Sequence, residues 1–266
     1  MGRQNQRVKL LRRLIRRKCR DEEGLFLAEG IRFVEEVLSS GWQVEFLVYS
    51  GKAAGGSRGG ALLQAAAAAG IPAYEVDEKL LAELADTATP QGVLAAVRQK
   101  EHRLEEVING RNNPLLLVVD GVQDPGNLGT IIRTADAAGA GGVLLLRGTV
   151  DLYNPKTLRS TMGSLFHVPV VRNLEAAEFL EAVARAGIRL YAGQPRATKN
   201  LFQADLREPC AFTLGSEGRG PRAEIAARAE GLQIPMPGRA ESLNVAVAAA
   251  VMLYEALRQR GFAGPQ

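Results

Sequence analysis

Apolar positions along this chain switch between two periods, and the switches mark its organisation. From Gly24 to about Arg98, IRFVEEVLSSG (31–41) carries helical spacing and VEFLVY (44–49) reads as a strand. A glycine-rich stretch, GKAAGGSRGG (51–60), then reads as a flexible loop, residues 61–69 as an Ala-rich helix, and IPAYEV and VLAAV as further short strands. This is the texture of a small α/β domain. The segment that follows, QKEHRLEEVINGRNNP (99–114), starts charged and ends in a cluster of turn formers, which predicts a domain boundary. The expected division is therefore 1–98, a linker over 99–113, and a second domain over 114–266.

The second half opens on LLLVVD (115–120), a nearly continuous apolar run, and repeats it at VLLL (143–146), VPVV (168–171), IRLY (188–191) and AFTL (211–214). Such runs, separated by helical segments, predict a mainly parallel sheet covered on both faces. Ligands of open parallel sheets bind beyond the carboxyl ends of the strands. Three loops in that position have unusual compositions: DGVQDPGNLG (120–129), GSEGRGP (215–221) and IPMPGRAESLN (234–244). A long helix, SLNVAVAAAVMLYEALRQR, follows from Ser242 and ends before Gly261.

Composition alters this picture in one place. The 266 residues are 46% hydrophobic and 23% charged, as in ordinary globular proteins, and the net charge is +4. Residues 1–20 hold nine Lys or Arg and no acid, so the other 246 residues carry 24 basic against 29 acidic side chains. The basicity is an amino-terminal arm. Within it Leu10, Leu11, Leu14 and Ile15 share one helical face, and Arg12, Arg13, Arg16, Arg17 and Arg20 the other. A phosphate-contacting element, a membrane-surface helix and a transit peptide all have this character. The arm lacks serine, and its apolar face lacks Trp and Phe, which favours docking of the apolar face onto the domain with the arginines free to meet a polyanion. No apolar run reaches membrane-spanning length. Cys19 and Cys210 lie far apart, and His102 and His167 have no partner at ligand spacing, so reduced thiols in a cytoplasmic setting, with no metal, are expected.

Asp124-Pro125-Gly126 forms a turn, with Asn127 a candidate N-cap for a helix from Leu128. Arg133, between the small Gly129 and Ala137, either reaches out over the strand ends or pairs with Asp136 at i+3. Glu217 and Ser242 are open to a capping role as well as a chemical one; capping does not account for Asn244. Neither GxGxxG after a strand nor a P-loop is present.

In order and spacing, NLGTIIR (127–133), LGSEGRG (214–220) and IPMPGRAESLNVAVAAAV (234–251) resemble the three motifs of the SpoU, or TrmH, family of RNA ribose 2′-O-methyltransferases, and LFLAEGIRFVEEVL (25–38) resembles the start of that family's substrate-binding domain. The resemblance covers nearly the whole chain. It implies a carboxyl-terminal α/β domain knotted as a deep trefoil around a parallel sheet, which topology rules alone would not suggest. A small α/β RNA-binding domain would precede it. It also implies S-adenosylmethionine as cofactor, held by Gly215, Ile234 and Leu243 with Leu214 and Met236 beside them. Asn127, Arg133, Glu217, Ser242 and Asn244 match the polar residues at the reacting centre. In family schemes the counterpart of Arg133 accepts the hydroxyl proton with help from the RNA phosphate; as a cation it would instead clamp that phosphate and stabilise developing charge. The resemblance further implies a homodimer, and an RNA substrate, ribosomal RNA being favoured over transfer RNA. A transfer RNA enzyme, a silent RNA-binding member and a methyltransferase acting on a base nitrogen are the rivals.

Overall fold

The computed structural model describes residues 1–216 and 218–262. In chain order its first elements are α1 (Gln6–Leu14), α2 (Arg17–Glu23), β1 (Leu25–Glu29), α3 (Ile31–Ser39), β2 (Val44–Ser50), α4 (Gly51–Gly55), α5 (Ser57–Ala68), β3 (Ala73–Val76), α6 (Glu78–Leu84) and β4 (Val93–Arg98). They continue with α7 (Leu104–Asn109), β5 (Leu115–Asp120), α8 (Pro125–Ala137), β6 (Gly142–Leu146), α9 (Pro155–Thr161), β7 (Val170–Leu174), α10 (Ala176–Arg185) and β8 (Arg189–Gly193). The last are β9 (Lys199–Asn200), β10 (Cys210–Gly215), α11 (Ala223–Ala226), β11 (Glu230–Gln233) and α12 (Val245–Gln259). Two compact units result, one of Met1–Lys100 with Tyr153–Phe166, the other of Glu101–Leu152 with His167–Gln266.

The first unit has a four-stranded sheet in the order β1-β4-β2-β3, with β4 antiparallel to both neighbours and β3 parallel to β2. Local sequence marks α6 clearly, since Asp77 caps it by accepting the Leu80 N–H at 2.8 Å. The stretch Tyr153–Phe166, read from sequence as part of the second domain, packs within this unit through its aromatic ends. Tyr153 stacks on Phe26 with ring centroids 4.8 Å apart, and Phe166 meets Phe33 and Trp42, each at 5.1 Å.

Two readings of this region need correction. GKAAGGSRGG is not a flexible loop: it forms α4 and the start of α5. Ser50 caps α4 by accepting the Ala53 N–H, and Gly59 passes so close to Ala53 that a Cβ there would lie 2.0 Å from its carbonyl oxygen. The glycines serve close backbone approach, which composition cannot distinguish from looseness. The basic arm, in turn, is not one helix but two. Val8, Leu11 and Leu14 of α1 enter the core beside Leu25, Phe46 and Leu80, whereas Ile15 is 44% exposed. Arg20, expected on the polar face of the arm, does not face solvent: it is buried and donates from one guanidinium nitrogen to the carbonyls of Leu14 and Ile15, both at 2.7 Å, satisfying the carbonyl end of α1. No glycine or proline signals this break; a side chain five residues on supplies the donors.

The second unit contains seven strands, all parallel, in the order β7-β6-β5-β10-β8-β11-β9. All six residues of β5 are buried, as the continuous apolar run requires. Helices α7 and α10 cover one face: Val107, Ile108, Phe179 and Val183 pack on Leu116, Val118 and Leu144. Helices α8 and α12 pack against each other and against β5, β6 and β10. Each fully buried leucine or phenylalanine here contributes roughly 1.5–3 kcal/mol relative to an exposed one. From Glu101 on, the segment read as a linker belongs to this unit, and Leu104, Val107 and Ile108 give α7 a buried stripe. Cys210 is buried at the start of β10, where desolvation pushes its thiol up to about 11, and Arg260 donates to its sulfur at 3.4 Å. Among the described residues no helix is long and apolar enough to cross a membrane.

Candidate functional site

Beyond the carboxyl ends of β8, β10 and β11 lies a cleft of about 130 Å³. Leu214, Gly215, Ile234, Met236 and Leu243, the five residues expected to hold the cofactor, all line it, and Ser242 joins them. Sequence reasoning missed Gly193, Gln194 and Pro195, which also line the cleft just after β8. Their signal was available: Gly-Gln-Pro follows the apolar run IRLY after a single alanine.

The cleft suits a largely neutral, flat ligand with a polar edge, such as an adenosine group. Among the described residues no charged side chain lines it. The segment Ile234–Leu243 belongs to no helix or strand and makes no backbone–backbone hydrogen bond with described residues, so its N–H and C=O groups are available to a ligand. Gly215 is compelled by the chain itself: a Cβ there would lie 1.8 Å from the Gly220 carbonyl carbon. The turn it supports is closed by the Gly220 N–H donating to the Ser216 carbonyl at 2.9 Å.

That turn is tied to the strand ends by a buried carboxylate. Asp120, the last residue of β5 and 4% exposed, accepts from the Arg222 backbone N–H at 2.7 Å and from its Nε at 2.8 Å, while the same guanidinium donates to the Arg147 carbonyl at 2.8 Å. Arg222 thereby joins the loops after β5, β6 and β10. Sequence reasoning identified neither member, because nothing local links positions 102 residues apart.

The polar set is assembled around two helix starts, though not as the sequence suggested. Asp124, not Asn127, is the N-cap of α8, accepting the Asn127 N–H at 2.8 Å, and the helix begins at Pro125. Likewise Asn244, not Ser242, caps α12, its Oδ1 accepting the Ala246 N–H at 2.9 Å and the Val247 N–H at 3.4 Å. Asn244 is exposed rather than enclosed. Its remaining amide group donates to Asn127 Oδ1 at 3.0 Å, joining the two helix starts across 117 residues. Glu217 lies outside the described residues.

Arg133 is exposed two turns into α8, and among the described residues it makes no hydrogen bond or ion pair; the alternative with Asp136 is not formed. Its neighbours Thr130 and Thr134 turn their hydroxyls onto carbonyls of their own helix, both at 2.9 Å. The guanidinium is left to whatever approaches from solvent. On the arm, Arg12, Arg13 and Arg17 meet Glu83, Glu23 and Asp21 at 3.1, 3.0 and 3.6 Å in exposed or half-exposed pairs worth little, while Arg16 has no partner among the described residues.

The Asn127–Asn244 bond makes a clean prediction. Asn244→Asp keeps the capping oxygen but loses the donor and places a charge against Asn127 Oδ1. Thermal stability should change by less than about 1 kcal/mol, while turnover at the site should fall by about tenfold or more. A variant with wild-type turnover would show that the bond is only structural.

A parallel α/β sheet with a cleft beyond its strand ends, walled by irregular backbone and flanked by exposed polar groups, defines a ligand-binding α/β protein. The SpoU rRNA Methylase family profile matches residues 114–254, and that of the MRM3-like substrate binding domain matches residues 5–95. The 23S rRNA (guanosine(2553)-2′-O)-methyltransferase RlmP of Bacillus subtilis (strain 168) is 36% identical over 251 residues, covering 94% of this chain and 95% of its own. Among solved structures, the AdoMet-bound rRNA methyltransferase from Sinorhizobium meliloti has a TM-score of 0.86 at 35% identity, over 97% of this chain and 96% of that one. The SpoU methyltransferase AviRb from Streptomyces viridochromogenes in complex with AdoMet gives 0.87 at 32% identity, over 98% and 100%. This chain belongs to the SpoU family.

Proposed function

We propose that the protein transfers the methyl group of S-adenosylmethionine to a ribose 2′-hydroxyl in large-subunit ribosomal RNA. The observation that carries the reading is the Asn127–Asn244 bond, which ties the helix bearing Arg133, a side chain without a partner among the described residues, to the wall of the cleft formed by Leu243 and Val245. RlmP and the Sinorhizobium meliloti enzyme, both named for rRNA, support ribosomal over transfer RNA. The cofactor, when bound, supplies an already activated methyl group on a sulfonium, so alignment and handling of the hydroxyl proton remain for the protein.

Leu214, Gly215, Ile234, Met236 and Leu243 hold the adenosine part, chiefly through backbone groups. Asn127 and Asn244 fix each other and orient the ribose, and Ser242 and Glu217 are the further polar residues of the reacting centre that the family resemblance implies. Arg133 grips the neighbouring phosphate with its two-pronged guanidinium and stabilises negative charge developing on the 2′-oxygen. Arg12, Arg13, Arg16 and Arg17 of the arm add phosphate contacts, their weak surface pairs opening in favour of the polyanion.

The same reading takes the carboxyl-terminal domain as the family's trefoil knot preceded by the RNA-binding domain. The likeness to the SpoU methyltransferase AviRb, with a TM-score of 0.87 over 98% of this chain, supports it. It also takes the protein as a cytoplasmic homodimer: Val247 and Tyr254, seven residues apart on α12, are 48% and 45% exposed and form an apolar stripe suited to a second copy. The test is transfer of labelled methyl from S-adenosylmethionine to unmodified ribosomal and transfer RNA transcripts, followed by alkaline hydrolysis. One alkali-resistant linkage in large-subunit RNA is expected. Label confined to transfer RNA, or found on a base, would overturn the assignment.

A further inference from the structure

The first unit contains a larger cleft, about 860 Å³, formed by the start of α3, residues 87–91 and the end of α9 with the turn after it. It lies within the size range of small-ligand sites, about 300–1,000 Å³, and none of the residues assigned above to cofactor or chemistry lines it. We propose that this cleft binds an unstacked nucleotide of the RNA substrate, its base seated on Met162 and its phosphate held by Arg32; the identity of the ligand rests on the function proposed above.

Met162 is the first reason. It ends α9 in the left-handed region, at φ 51° and ψ 32°, where glycine or asparagine is the inexpensive choice. Yet the residue there is a large apolar one, 65% exposed, on the cleft wall. Gly163 follows at φ 96°, and a Cβ on it would come within 2.8 Å of Glu36 Cγ, so α3 and this turn are in close contact. A strained backbone that holds an apolar side chain in water, braced by a neighbouring helix, points to a ligand that covers it. Half-buried Phe33 lines the same wall.

The charges give the second reason. Glu35 is engaged by Arg58 through a two-pronged ion pair, Asp86 by Arg159, and Glu29 accepts the backbone N–H of Asp86 at 2.8 Å. Arg32 has no hydrogen-bond or ion-pair partner among the described residues. The amide of Gln91 accepts the Ile31 N–H at 2.9 Å through its oxygen, which leaves its NH₂ donors for the edge of a base. Single-stranded RNA is read by stacking platforms, aromatic or guanidinium, together with cations and side-chain donors to base edges; Phe33 with Met162, Arg32 and Gln91 supply a flat apolar wall, a cation and a donor in this cleft.

The experiment measures RNA affinity and methyl transfer side by side, on wild type and on Met162→Asn and Arg32→Ala, with a large-subunit RNA transcript over a range of salt. Asparagine tolerates the left-handed backbone, so Met162→Asn should remain folded, which thermal melting checks. Both variants should bind the transcript about tenfold more weakly, with KM for RNA raised and kcat and cofactor affinity unchanged. Arg32→Ala should also reduce the slope of log affinity against log salt by about one, and Met162→Asn should leave it unaltered. RNA affinity within twofold of wild type for both variants overturns the proposal, whether or not wild type methylates. Wild type that binds RNA through this cleft without methylating it would instead overturn the proposed activity and leave the cleft assignment standing.

Discussion

Arg133→Ala should lower kcat for methyl transfer by about 10²–10³-fold, the cost typical of removing one preorganised group that stabilises charge in a transition state. Folding should be untouched, because Arg133 is exposed and makes no ion pair or hydrogen bond among the described residues. Cofactor affinity should also be untouched, since Arg133 is not among the residues lining the cleft. Arg133→Lys should recover only part of the loss: it restores a cation but not the planar fork that holds phosphate with two parallel bonds. Single-turnover transfer with saturating cofactor and RNA, alongside calorimetric cofactor binding, makes the comparison. Turnover of the alanine variant within threefold of wild type would remove Arg133 from the reacting centre.

Gly215→Ala should be among the most damaging single-methyl changes in the chain. The added Cβ would sit 1.8 Å from the Gly220 carbonyl carbon, 2.0 Å from the Pro221 nitrogen and 2.2 Å from the Gly220 oxygen. All three are backbone atoms, so no side-chain rotation relieves the overlap, and the turn from Ser216 to Gly220 must move. Overpacking of this kind costs about 3 kcal/mol, a fall of roughly 6–12 °C in Tm for a chain of this size. The displaced turn also forms part of the cleft, so cofactor affinity should fall by about 100-fold or more. Gly218→Ala, three residues away, is the control: nothing lies within 4 Å of its added Cβ. Equal melting temperatures and cofactor affinities for the two variants would refute the argument.

Leu214, Gly215, Ile234, Met236 and Leu243, which line the cleft, were legible through the resemblance of their motifs to the SpoU family, whereas Gly193, Gln194 and Pro195 lie outside those motifs and were missed. The polar set was legible as identities and misread as local structure. Asn127 and Ser242 each occupy a plausible capping position by sequence, but Asp124 and Asn244 cap the helices. Several Asx and Ser residues compete for one helix start, and the choice depends on where the preceding strand delivers the chain. GKAAGGSRGG was misread for a related reason: glycine count signals loop or close packing equally, and only Ala53 lying against Gly59 decides between them.

Which segments are strands buried on both faces, where the irregular loops fall, which stretch carries the excess of arginine and which side-chain chemistry is present can all be read along the chain. Those features depend on periodicity and composition over a few residues. Folding brings Asn127 to Asn244 across 117 residues, lets Asp120 tie down Arg222 across 102, and turns Arg20 onto a helix end instead of into solvent. It also decided that Tyr153–Phe166 packs with the first unit. These are contacts between parts of the chain brought together by burial of the sheet's two faces, a non-directional force that assembles the elements without recording in any one of them which partner it will meet.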